Sequence, residues 1–171
     1  MEFFRFRGAV VAVVGGRAKG MSAQEVLERF SATREGTVVQ LFDAKRVAGK
    51  EHLLHATNLA LLSWERGERF AEDPSLDLLC WVAADRQIGT ALKRVGITPE
   101  TTALAVLVVG RDQASVESVV REVERYLERD DEVIGGEREE LVGAFDLPAG
   151  TRAEEVEKLV KEKIALLELA K

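Results

Sequence analysis

At 171 residues, 46% hydrophobic and 32% charged, the chain has the composition of an ordinary globular domain with room for one sizeable core. A net charge of −6 argues against indiscriminate polyanion binding, and the lone Cys80 excludes an internal disulfide or a thiolate zinc cluster. No apolar run reaches the length of a membrane span, and the first residues alternate Arg5 and Arg7 with apolar neighbours like a strand rather than a signal peptide, so a cytoplasmic protein is expected.

Taken in chain order, the first strand is expected over residues 9–14. The stretch VVGGRAKGMS that follows invites a phosphate-loop reading, but Gly20 is followed by Met21 where such a loop needs Lys and then Ser or Thr. Ser22 and Glu25 make a capping box for a helix over 23–30, and a second strand is expected over 37–42. A long helix runs from Lys50 to Arg66 and stops at Gly67. The continuous apolar run at 76–82 reads as a third strand, with Cys80 a small core residue. Asp85 is a good cap for a helix over 86–95 that ends at Gly96, and residues 102–109 read as a fourth strand. Asp112 caps a helix to about Glu128, with Val116, Val119, Val120, Val123 and Leu127 as its stripe. A short helix near 137–145 and a last amphipathic helix from about Arg152 complete the chain. The expected fold is therefore a single mixed α/β domain over 1–171, a four- to five-stranded sheet flanked by helices. The alternation favours parallel neighbours, and a mixed sheet is the alternative.

The inventory of reactive groups is thin. His52 and His55 stand three apart on the long helix, but there is no third histidine and no HExxH pattern, so no metal site is expected. Carboxylate-rich stretches such as VERYLERDDE have the pattern of solvated faces. No cofactor and no active site are expected.

Two segments leave alternatives open. On the long helix, Leu53, Ala56, Thr57, Ala60 and Trp64 form a core stripe, while His52, His55, Leu59, Leu62 and Arg66 gather on a neighbouring face. That face either meets another helix or holds a ligand. In AADRQIGTALKRVGIT, the amides after Asp85, with Arg86 and Gln87 beside them, either form an anion site or are satisfied by Asp85 itself. The charge is also uneven. Residues 45–94 carry eight Lys and Arg against seven Asp and Glu, whereas residues 112–171 carry nine against seventeen.

Three segments in order, GKEHLLHATNLALLSWERG, LDLLCWVAADRQIGTALKRVGI and LVKEKIALLELA, resemble the kinase-binding, tRNA-recruiting regulatory subunit of the KEOPS complex. The matching positions are Gly49, His52 and Leu53; Arg86, Gln87 and Ile88; Ala91, Leu92, Gly96 and Ile97; and Ile164 to Leu167. The resemblance implies a non-enzymatic role in forming threonylcarbamoyl-adenosine in tRNA. Its partners would be a small atypical kinase with ATPase activity and the single-stranded 3′ CCA end of tRNA. For that role Arg86, Gln87 and Ile88 offer a charge, an amide and an aliphatic contact at one helix end, and Lys50, His52 and Arg66 or Arg69 are expected alongside to complete a site for the tail. On the terminal helix, Ile164, Leu166, Leu167 and Leu169 widen the apolar stripe beyond one core face. They are either buried within the domain or exposed to dock the kinase. Two other readings are a purely protein-binding adaptor that does not touch tRNA and a small α/β nucleotide-binding enzyme using the loop 15–20.

Overall fold

The computed structural model describes residues 1–34 and 36–170. β1 (Phe4–Phe6) and β2 (Ala9–Ala18) form a hairpin whose turn residues, Arg7 and Gly8, take positive φ of 48° and 80°. Such a turn matches the twist of paired strands. Gly8 adopts it freely, whereas a left-handed arginine costs roughly 1 kcal/mol. α1 (Ala23–Phe30) starts at the expected capping box: Glu25 N donates to Ser22 Oγ at 3.1 Å, and Ser22 N donates to the Glu25 carboxylate at 3.2 Å. β3 (Ala32–Arg34) and β4 (Thr37–Asp43) follow, and a 3-10 turn over Ala44–Arg46 leads into α2 (Lys50–Glu65). Then come α3 (Pro74–Ala83), α4 (Ile88–Val95), β5 (Leu104–Gly110), α5 (Gln113–Glu124) and β6 (Leu127–Arg129). The chain closes with α6 (Arg138–Phe145) and α7 (Val156–Leu169).

The strands make one sheet in the order β1-β2-β5-β4-β3, with β6 paired to the far end of β2. Every pairing among the described residues is antiparallel. Side chains alternate across it as a strand requires. Val11, Val13, Leu107 and Val109 face a core shared with α2, α3, α4, α6 and α7, while Val10, Val14, Val106 and Val108 face α1 and α5. Both faces are covered, which is why β2 and β5 read as continuous apolar runs.

Four expectations are corrected. Residues 76–82 are not a strand but the middle of α3, where Leu78 to Ala83 are all buried. A continuous apolar run has no period to tell a buried strand from a buried helix. Here Asp73 accepts from Ser75 N at 2.9 Å and Pro74 fills the first helical position, which starts a helix. With that strand removed, no parallel neighbour remains among the described residues, and their sheet has six strands, of which β1, β3 and β6, at three residues each, are too short to show a pattern in sequence. α5 ends at Glu124, so Leu127 reaches the core from β6 rather than from the helical stripe. α4 begins at Ile88, with Gln87 as its N-terminal cap position, so Arg86 and Gln87 lie in the connection from α3.

Candidate functional site

His52 lies in the first turn of α2 and is wholly buried. Its Nδ1 accepts from Ala48 N at 2.9 Å, so Nε2 carries the proton and donates to the Val82 carbonyl at 2.8 Å. Its ring meets Phe145 edge-on at 5.5 Å. Burial lowers its pKa to about 4; the Val82 hydrogen bond opposes this, and the charges of His55 and Lys161 add to it. The expectation that His52 offers itself to a tRNA tail is therefore corrected. It is a neutral pin joining the start of α2 to the end of α3. His55, one turn on, is only partly buried, and its pKa is lowered first by burial and then by Lys161 on α7.

Lys50 is also placed apart from the other expected contacts. Its ammonium bonds the Glu2 carboxylate at 3.0 Å and sits 5.7 Å from the Phe4 ring centroid. Arg66 caps the opposite end of α2, roughly 24 Å along the helix axis.

Two of the remaining candidates, Arg66 and Arg86, meet at the last turn of α7. Arg66 bonds Glu168 at 3.3 Å, and Arg86 donates to the Ala170 carbonyl at 3.3 Å. Two guanidinium groups from distant parts of the chain thus complement the negative end of one helix. Arg86, which has no folding role visible in sequence, acquires one here. Gln87 is exposed, and its backbone N–H donates to Asp85 Oδ1 at 2.8 Å. Asp85 therefore satisfies one of the amides that the anion-site reading leaves free. Ile88 packs partly against the core. Arg69 is exposed on the loop after α2 and bonds the Ala71 carbonyl at 3.2 Å.

α7 divides its apolar residues. Ile164 is wholly buried and Leu167 is partly buried against the core, so Ile164 is corrected from a docking residue to a core residue. Leu166 and Leu169 are 62% and 80% exposed. The last turn of α7 therefore presents two bare leucines flanked by Arg66 and Arg86.

Sequence reasoning missed two side chains that hold this region. Asp77, buried on α3, accepts four hydrogen bonds, from the backbone N–H groups of Phe70 and Ala71 and the indoles of Trp64 and Trp81. Arg94 is drawn inward to the carbonyls of Ala83 and Ala144, each at 2.8 Å, and lies over the Phe145 ring. An aspartate inside an apolar run is the signal that could have revealed the first. The second has none, since its hydrogen bonds go to backbone oxygens and its ion-pair partner, Asp146, lies fifty-two residues away.

Burial, and then the nearby charges of Asp77 and Asp85, push the Cys80 thiol up to about 12 and keep it protonated. Among the described residues no three His, Cys, Asp or Glu side chains are grouped to hold a metal ion. No helix among them is long and apolar enough to cross a membrane.

A family model described as Kinase binding protein CGI-121 matches residues 21–168, from just before α1 to near the end of α7. A search of curated proteins returned no match.

Proposed function

The chain belongs to the kinase binding protein CGI-121 family, and on that premise we propose that it is a non-catalytic regulatory subunit of a cytoplasmic KEOPS complex, acting in tRNA threonylcarbamoyl-adenosine formation. The observation that carries the reading is the family match, which includes α7 as far as Glu168. The kinase partner docks on the exposed end of α7 through Leu166 and Leu169, because bare leucines on a monomer surface gain most when a partner covers them. Replacing both by aspartate is expected to weaken kinase binding at least ~100-fold, the scale of a lost interface centre. Melting temperature should hardly change, since both side chains are already in water. Titration calorimetry with the purified kinase reads the result, and unchanged affinity would place the docking surface elsewhere.

The single-stranded CCA end of tRNA is taken beside the same turn, by Arg66 and Arg86 on phosphates, with Gln87 and Ile88 following Arg86 in the chain and Arg69 on the loop after α2. Charge reversal of Arg66 and Arg86 together is expected to weaken binding of intact tRNA about tenfold at fixed salt, with no effect on tRNA trimmed of its CCA end. Equal loss for both RNAs points to general electrostatics. No tRNA binding at low salt by the unaltered protein favours a purely protein-binding adaptor.

A further inference from the structure

We propose that a second site, where the last turns of α2 meet one end of the sheet, binds a nucleoside phosphate. It is a pocket of about 340 Å³ at one end of the sheet, within the size range of small-ligand sites. The strand ends of β2, β3, β4 and β5 form its rim, and Leu61, Trp64 and Val109 line its apolar interior. Three guanidinium groups, Arg7, Arg34 and Arg111, stand on that rim, and no carboxylate lines it among the described residues. In a chain of net charge −6, that grouping selects an anion.

The state of each arginine sharpens the point. Arg7 shares one N–H with Glu65 at 3.1 Å, and Arg34 spends one on the Arg29 carbonyl at 3.2 Å. The Arg111 side chain makes no hydrogen bond or ion pair with another described residue. A guanidinium has five N–H donors, so most remain for a ligand. Arg7 is also held in the left-handed conformation at φ 48°, where glycine or asparagine would sit without strain. Strain kept at a position that lines a pocket points to use of that side chain.

The interior decides the rest of the ligand. Inorganic phosphate alone leaves the apolar wall uncovered. Trp64 supplies a planar surface whose orientation is fixed by the bond from its indole N–H to Asp77 Oδ2 at 2.7 Å. An aromatic wall below guanidinium groups suits a base attached to a phosphate. The site has Arg7, Arg34 and Arg111 in common with nothing used for the α7 surface, so it stands apart from the reading above.

The test uses the full chain and the two indole N–H resonances of Trp64 and Trp81. AMP is expected to shift the Trp64 signal saturably in the sub-millimolar range, leaving buried Trp81 as internal reference. Adenosine and inorganic phosphate, each tested alone, should bind at least ~10-fold more weakly. Arg111→Glu, an exposed change, should weaken AMP by a similar factor, while Arg66→Glu with Arg86→Glu should not. A single-stranded trinucleotide is the second arm. Tighter binding than AMP, still lost in Arg111→Glu, identifies the ligand as part of a strand, and equal or weaker binding identifies a free nucleotide. Absence of any Trp64 shift with either probe, or shifts that survive Arg111→Glu, would overturn the site.

Discussion

His52→Leu is expected to destabilise the fold by roughly 3 kcal/mol and lower its melting temperature by about 10 °C. Leucine fills much of the same volume, so the loss is mainly of polar pairing. Ala48 N–H and the Val82 carbonyl lose the imidazole that satisfies both, and each unpaired buried group costs about 1–3 kcal/mol. The substitution should also change the response to acid. Folded His52 titrates at about 4 against 6.5 when unfolded, so between those values the unfolded chain holds the extra proton. Stability therefore rises with pH through this window and falls as pH drops from 6.5 towards 4. At pH 5 the unaltered protein should have lost about 2 kcal/mol relative to pH 7.5 through this group. His55, lowered in the same direction, adds to the slope. Urea denaturation of both proteins at the two pH values measures it. Equal acid losses in protein and variant would show that His52 is not the group responsible.

The imidazole also marks where sequence reading stops. Ser22, Glu25 and the Asp112 cap are local signals, since each bonds a backbone N–H three residues away, and all three are found where the pattern places them. His52 is resolved by a carbonyl thirty residues away and Arg86 by one eighty-four residues away. No spacing rule reaches such partners. α3 is a different kind of miss. Its start was written in Asp73 and Pro74, but the apolar run behind them outweighed it, because burial on all sides erases the helical period. At the candidate site, the motifs placed Arg86 and Leu166 in view while leaving their proximity to one helix end unseen. The arginines of the sheet-end pocket are missed for a related reason. Arg7 reads in sequence as part of an alternating strand but sits in the hairpin turn, Arg111 follows the last residue of β5, and no spacing rule brings the two together.

Asp77→Asn should be nearly as damaging as removal of the side chain, although asparagine has almost the same shape. The two carboxylate oxygens divide four donors between them. Oδ1 accepts from Phe70 N at 2.7 Å and Ala71 N at 3.1 Å, and Oδ2 accepts from the indoles of Trp64 at 2.7 Å and Trp81 at 3.1 Å. A carboxylate is acceptor-only at both oxygens and fits that set. An amide presents one NH2 group, and in either orientation it meets two N–H donors, setting donor against donor at a buried site. Loss of two charge-assisted bonds, with two donors left unpaired, amounts to at least ~3 kcal/mol. Chemical denaturation and the indole resonances read this together. If oxygen stays towards the indoles, the strain falls on the loop at Phe70 and Ala71; if it stays towards the backbone, both tryptophans lose their partner. Only in the second case does Trp64 lose the bond that fixes its ring, so only there should AMP binding at the sheet-end pocket weaken beyond the loss of stability. An Asn variant as stable as the unaltered protein would mean that the carboxylate charge does not hold α3 to α2.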